Sequence, residues 1–248
     1  MDLFAIAAAA PATGSVVPAM HAADRFVAVP ISILFWVIIA VVIGISIQRT
    51  NRTLDERSVP LMGVMAAFIF AAQMFNFQVA GGTSGHLLGG VLAAVLLGPW
   101  AATLVMASVI GVQGLLFSDG GLVVMGANIF NMGVIGTLGG YALYRGLCEL
   151  FRGEDRGRIP ASAIAGWASV VAASISMSLM LIASGTSPVE VVLPAMVGTH
   201  LFIGIGEALI TAAALAFIQT TRPDLLNLRP DRAAKLAAAA PVAAPAPA

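Results

Sequence analysis

The sequence predicts an all-α integral membrane protein of about seven transmembrane helices, with the N-terminus outside and the C-terminus cytoplasmic. Three observations carry this expectation. Of 248 residues, 59% are hydrophobic and 10% charged, whereas an ordinary soluble domain has about 45–50% and about 25%. The mean hydropathy is +0.98. Apart from Arg25, the lysines and arginines gather into three clusters, and the runs between them are long enough to cross a bilayer in steps of about 20 residues. The formal net charge is zero, so nothing points to nucleic acid. The single cysteine, Cys148, excludes an internal disulfide framework and a multi-cysteine metal site.

Taken in order, residues 1–26 form a mixed lead containing Pro11, Gly14, Pro18, Met20, His21, Asp24 and Arg25. The first span is expected at about 27–47, ending on Gln48-Arg49, and is followed by a polar stretch with Arg49, Arg52 and Arg57. Between Arg57 and Arg145 the chain holds no lysine or arginine. Turn signals divide that stretch into spans at about 60–76, 86–98, 100–117 and 122–144. The breaks are Gly81-Gly82-Thr83-Ser84-Gly85, Gly98-Pro99 and Ser118-Asp119-Gly120-Gly121. The 86–98 run is short for a crossing. A basic loop with Arg145, Arg152, Arg156 and Arg158 precedes spans at about 160–183 and 189–219, which Ser184-Gly185-Thr186-Ser187-Pro188 separates. Residues 220–248 carry Arg222, Arg229, Arg232 and Lys235 before an Ala/Pro-rich end and read as a disordered cytoplasmic tail.

Parity then sets the topology. With all three basic clusters inside, seven spans place every lysine and arginine except Arg25 in the cytoplasm, as the positive-inside rule requires. The N-terminus, the 77–86 loop, the 118–121 turn and the 184–188 turn are therefore expected at one end of the bundle, the outer end. This brings His21 and His86 to the same side.

Residues 1–19 read as a leader or an untranslated extension. Val17-Pro18-Ala19 fits a small-residue cleavage site, although the segment lacks a positive start. Translation from Met20 would give the same mature chain, and retention of residues 1–19 as a flexible tail is the third possibility. The choice matters chemically. If Met20 is the terminus, its α-amine, the His21 amide nitrogen and the His21 imidazole can chelate one metal through five- and six-membered rings. The fourth position of a square plane is then open to His86. Nitrogen ligation of this kind suits Ni²⁺, Cu²⁺ or Co²⁺, and the hard oxygen cage preferred by Mg²⁺ or Ca²⁺ is missing.

Other polar groups have two readings. His200 and Glu207 lie seven residues apart on one face of the last span. They are either a pair supporting the site or a contact that packs helices. Gln73, Asn76, Ser84, Asn128 and Asn131 could orient the histidines or hydrogen-bond neighbouring helices. Gly63, Ala67 and Ala71 recur every four residues and form a small-residue stripe suited to close helix approach, within the chain or with another subunit. No His-Glu-x-x-His, Gly-x-Ser-x-Gly or P-loop pattern occurs. The chain is thus expected to be no enzyme, and any ATP must be hydrolysed elsewhere.

The blocks Val59-Pro60-Leu61-Met62-Gly63-Val64, Ala71-Ala72-Gln73-Met74-Phe75-Asn76-Phe77 and Gly81-Gly82-Thr83-Ser84-Gly85-His86-Leu87-Leu88-Gly89 closely resemble the CbiM/NikM family. So do Asp119-Gly120-Gly121, Gly126-Ala127-Asn128-Ile129-Phe130-Asn131-Met132 and His200-Leu201-Phe202-Ile203-Gly204, and the resemblance spans residues 20–219 as one membrane domain. These proteins are the substrate-capture (S) components of energy-coupling factor transporters for cobalt and nickel. The resemblance implies seven spans, a mature chain beginning Met20-His21, and a metal held by Met20, His21 and His86. It also implies partners: a transmembrane coupling subunit, two ATPase subunits and, where it is not fused, a small two-span accessory subunit. One departure stands out. The family continues Met-His-Ile-Pro-Asp-Gly or Met-His-Ile-Met-Glu-Gly, whereas Met20-His21 is followed here by Ala22-Ala23-Asp24-Arg25.

The expected function is import of Co²⁺ for cobalamin biosynthesis across the cell (inner) membrane, with Ni²⁺ as the alternative cargo. The absence of a fused two-span module tilts the expectation toward cobalt. A non-transporting membrane scaffold is the rival from another class.

Overall fold

The computed structural model describes residues 21–52, 58–74, 76–79 and 83–227, with only the backbone described for 76–79, 83, 84 and 227. The elements are α1 (Val29–Asn51), α2 (Ser58–Gln73), β1 (Asn76–Val79), β2 (Thr83–His86), α3 (Gly90–Leu97) and α4 (Pro99–Leu116). Then follow α5 (Met125–Ile129), a π-helical stretch (Phe130–Gly139), α6 (Gly140–Leu150), α7 (Glu154–Ala183), α8 (Val189–Thr221) and a 3-10 turn (Pro223–Asn227). The expected leader, residues 1–19, and residues 228–248 lie outside the described residues, as does Met20.

Among the described residues four helices, α1, α4, α7 and α8, are long and apolar enough to cross a membrane. At 16 residues α2 is shorter, and α5, the π-helical stretch and α6 run on as one continuous rod. The breaks fall where turn chemistry predicts. Gly98, at φ +83°, closes α3, and Pro99 opens α4, the helix position where a missing N–H costs nothing.

The segment expected as a span at 86–98 needs correction. Its helix, α3, has eight residues, about 12 Å at 1.5 Å per residue, against a hydrocarbon core of about 30 Å. Ahead of it, His86 ends β2 and Leu87 to Gly89 carry no regular structure, Gly89 being left-handed at φ +73°. Gly90 to Leu96 are all buried, so this uniformly apolar run forms the middle of the bundle instead of facing lipid. An added β-carbon at Gly90 would lie 2.8 Å from the Gly136 carbonyl carbon, which shows how closely α3 meets the π-helical stretch. The 77–86 run also differs from the expected flexible loop. Strands β1 and β2 pair antiparallel, with Asn76 opposite His86 and Gln78 opposite Ser84.

Unlike a soluble protein, the bundle is apolar on its outer surface as well as in its core. Helix α1 buries Ser32, Ile39, Ser46 and Thr50 while Val29, Ile33, Leu34, Val37 and Val41 are exposed. Helix α7 buries Ala161, Ala165, Gly166, Ser169 and Ala173. Small residues are what allow helices to approach in lipid. At Gly204 on α8 a β-carbon would come within 2.8 Å of Trp167, and at Gly126 within 2.7 Å of the Trp36 backbone nitrogen. The folded part runs past the expected start of the tail at 220: α8 ends at Thr221, and in the turn after it Leu226 is buried.

Candidate metal centre

The N-terminal segment lies across the end of the bundle, held by side chains and turns from distant parts of the chain. Asn128 grips Ala22 at both ends, its Oδ1 accepting from the Ala22 N–H (3.2 Å) and its Nδ2 donating to the Ala22 carbonyl (3.1 Å). The Gly121 N–H donates to the same carbonyl at 3.0 Å. Two residues on, Asp24 Oδ1 accepts from the Val123 and Val124 amides at 2.9 and 3.2 Å. The Ala28 N–H donates to Ser184 Oγ (2.9 Å), and the Thr186 hydroxyl donates to the Phe26 carbonyl (2.7 Å). The expected meeting of the N-terminus with the 118–121 and 184–188 turns at one end of the bundle is thus observed as direct contacts.

This seating brings His21 to Asp119. The His21 amide donates to Asp119 Oδ1 at 3.4 Å, and His21 Nδ1 lies 3.2 Å from Oδ2 and 3.4 Å from the Asp119 carbonyl oxygen. The amide nitrogen and Nδ1, the two His21 atoms that a six-membered chelate ring would use, therefore both face one carboxylate. His21 is buried, and its Nε2 has no hydrogen-bond partner among the described residues. Asp119 was not expected as a site residue; a hydrogen-bonding acid in a turn gives no sign of its partner.

His86 arrives from the opposite side at the end of β2. Its ring centroid lies 5.0 Å from that of His21, with the planes at 76°. Two imidazoles bound to one ion at roughly 2.0–2.1 Å place their centroids about 4.5 Å apart in adjacent positions and about 6 Å apart in opposite ones. The observed spacing falls between these. His86 Nδ1–H donates to the Leu87 carbonyl at 2.7 Å, which leaves Nε2 as the ligating nitrogen. The hairpin lies outside the long helices, and there burial, followed by the neighbouring His21 ring, pushes the His86 imidazole down to about 4. The ring is neutral near pH 7, the form that binds metal.

The remaining expected residues divide. Glu207, fully buried, accepts the Leu88 and Gly89 amides on Oε2 and Oε1, each at 2.8 Å. Gln73 donates to the Leu88 carbonyl at 3.0 Å. Both therefore hold the segment just after His86. His200 donates Nδ1–H to the Met196 carbonyl of its own helix at 2.6 Å, so the His200 and Glu207 side chains share a face but have separate partners. Asn131 donates to Met180 Sδ at 3.6 Å and engages α7. Of Asn76 and Ser84 only the backbone is described, with Asn76 in register opposite His86. Gly63, Ala67 and Ala71 are exposed on α2, and no atom lies within 4 Å of a β-carbon built at Gly63. Among the described residues no three His, Cys, Asp or Glu side chains gather into a metal-holding group.

Residues 21–225 match the family described as CbiM, the cobalt uptake substrate-specific transmembrane region. The chain belongs to the CbiM family. A provisionally named metal transport protein of Haloquadratum walsbyi is 38% identical over 86% of this chain and 99% of its own length. The fused nickel transport protein NikMN of Rhodobacter capsulatus is 34% identical over 75% of this chain and 57% of its own. A crystal structure described as a truncated transition metal transporter superposes with a TM-score of 0.75 at 31% identity, covering 81% of this chain and 99% of that one. This CbiM chain is therefore a multi-pass membrane protein of a metal-transport family, a transporter component and not an enzyme.

The departure at Ala22-Ala23-Asp24-Arg25 can now be placed. Asp24 keeps the acidic anchor. Arg25 stands where the family pattern has glycine, and its φ is +81°, a left-handed conformation that costs an L-residue roughly 1–2 kcal/mol. Arg25→Gly is expected to stabilise the protein by roughly 0.5–1 kcal/mol after the entropy cost of glycine. A higher apparent unfolding temperature in detergent would show this, and an unchanged or lower one would contradict it.

Proposed function

We propose that this chain is the metal-capture (S) component of an energy-coupling factor transporter, taking up Co²⁺ for cobalamin biosynthesis. The observation that carries the reading is the convergence of His21 and His86, two imidazoles from distant segments, at 5.0 Å, with His21 within a clamped N-terminal segment. The ion is bound by the Met20 α-amine, the amide nitrogen and imidazole of His21, and His86. Two imidazoles alone make a weak site, and the main-chain nitrogens complete it. On entry the ion takes over the His21 nitrogens that otherwise face Asp119, and the His21 amide gives up its proton as it becomes a ligand.

With α3 and the segment leading into it counted together as one crossing inside the bundle, seven crossings put the N-terminus outside, the C-terminus inside and this end of the bundle toward the exterior. ATP hydrolysis then belongs to two partner subunits joined through a transmembrane coupling subunit, with the exposed Gly63, Ala67 and Ala71 stripe available to that subunit. The family description supports cobalt, and the likeness to a fused nickel transport protein supports Ni²⁺ as the second reading. The ligand types are shared, so the Irving–Williams order does not separate the two.

The test is titration of the purified protein with Co²⁺ and Ni²⁺, its N-terminus established by mass and N-terminal sequencing. A chain beginning at Met20 is expected to bind one ion per molecule. A chain that retains residues 1–19 offers a peptide nitrogen in place of the amine and is expected to bind far more weakly. Failure of the Met20 form to bind either metal would refute the capture role, and equal binding by both forms would remove the amine from the site.

A further inference from the structure

One face of α8, carrying His200, Ile203 and Glu207, lies along the segment from Gly85 to Gly89. A β-carbon at Gly85 would fall 2.0 Å from Ile203 Cδ1 and 3.7 Å from His200 Nε2, so the strand that carries His86 is pressed onto this helix. Further along, Glu207 takes the Leu88 and Gly89 amides while Gln73 on α2 holds the Leu88 carbonyl. Gly166 on α7 leaves room for the Glu207 stem, since a β-carbon there would sit 3.4 Å from Glu207 Cγ.

The Leu88 N–H and the Leu87 carbonyl belong to the same peptide group. Glu207 Oε2 accepts from its N–H end at 2.8 Å, and its C=O end accepts from His86 Nδ1–H at 2.7 Å. Imidazole, peptide and carboxylate thus form one line of hydrogen bonds. Metal-binding histidines commonly donate their second nitrogen to a carboxylate or carbonyl, which fixes the ring and raises its basicity. A buried carboxylate polarises the intervening peptide in the same sense.

We propose that Glu207 is the positioning residue for His86, acting through the Leu87–Leu88 peptide so that α8 sets the affinity of the site for metal. The proposal rests on His86 being a ligand. It makes α8 the helix whose displacement would withdraw the imidazole from the ion.

The test uses the full chain in detergent, titrated with Co²⁺ while the visible absorption of the bound ion is recorded. Glu207→Gln, His86→Ala and the double variant are compared with the wild type. Glu207→Gln is expected to lower Co²⁺ affinity by about 10- to 100-fold and to shift the spectrum toward that of His86→Ala. The double variant should bind no more weakly than His86→Ala alone. The proposal is overturned if Glu207→Gln keeps wild-type affinity and spectrum, or if it costs as much without His86 as with it. Should Glu207→Gln not fold, Glu207→Asp decides: a shifted spectrum supports the proposal and an unchanged one overturns it. If His86→Ala itself binds like the wild type, the capture reading fails instead, so the two failures are told apart.

Discussion

Replacing His86 with alanine is expected to weaken Co²⁺ and Ni²⁺ binding by more than the roughly 10- to 100-fold that loss of a supporting partner costs. At about 1.4 kcal/mol per tenfold change, that is a loss of about 3 kcal/mol or more. The reason is geometric. His86 is the buried imidazole whose ring lies 5.0 Å from that of His21, and its Nδ1 is committed to the Leu87 carbonyl, so Nε2 is the nitrogen it has left to ligate. Folding should be little changed, because the hairpin is carried by its main-chain ladder and the following segment by Glu207 and Gln73. Equilibrium metal titration with a parallel thermal melt checks both points. His200→Ala is the control. Its ring is bonded to its own helix, so an equally large loss there would mean that the ligands are wrongly assigned.

Gly121→Ala is expected to abolish high-affinity metal binding while leaving the long helices intact. A β-carbon at Gly121 would lie 2.0 Å from Asp24 Oδ1 and 2.3 Å from the Asp24 amide nitrogen, and a main-chain clash cannot be relieved by rotating a side chain. Overpacking of this kind costs about 1–3 kcal/mol. The cost falls on the N-terminal segment, which the clash lifts off Asn128 and Asp119. Metal titration with circular dichroism should show lost binding and retained helix. Gly120 is equally constrained, at φ +89° with His21 Cβ only 2.7 Å from where a β-carbon would stand, and Gly120→Ala should behave alike. Wild-type binding by both variants would show that the seat of His21 plays no part in capture.

Charge and hydropathy were enough to place most helices within a few residues and to bring the N-terminus together with three turns, because the membrane constrains both signals. Length was misread at α3. A short apolar run buried by its own bundle looks, residue by residue, like one buried by lipid. The hairpin at 76–86 was hidden by glycines that read as a loop until the facing strand was known. The meeting of His21 and His86 was legible because the charge pattern put both at one end of the bundle. Gln73, Asn128 and Glu207 stand out in the sequence as groups that could orient the histidines or pack helices. Their partners, and Asp119 altogether, were not legible, since each binds a main-chain amide, carbonyl or ring brought to it only by the folded bundle. Arg25 is the opposite case. The family pattern marked it as irregular, and its positive φ explains why glycine stands there elsewhere.

The N-terminal segment is tied to Ser184 and Thr186, groups made long after it during synthesis. Its cradle is therefore incomplete until α7 has been inserted, and the first segment to leave the ribosome is among the last to find its place. Pairing of such distant segments is slow compared with local helix formation. Under the proposed function, metal competence consequently arrives at the end of biogenesis, so a partly assembled chain in the membrane would not sequester ions.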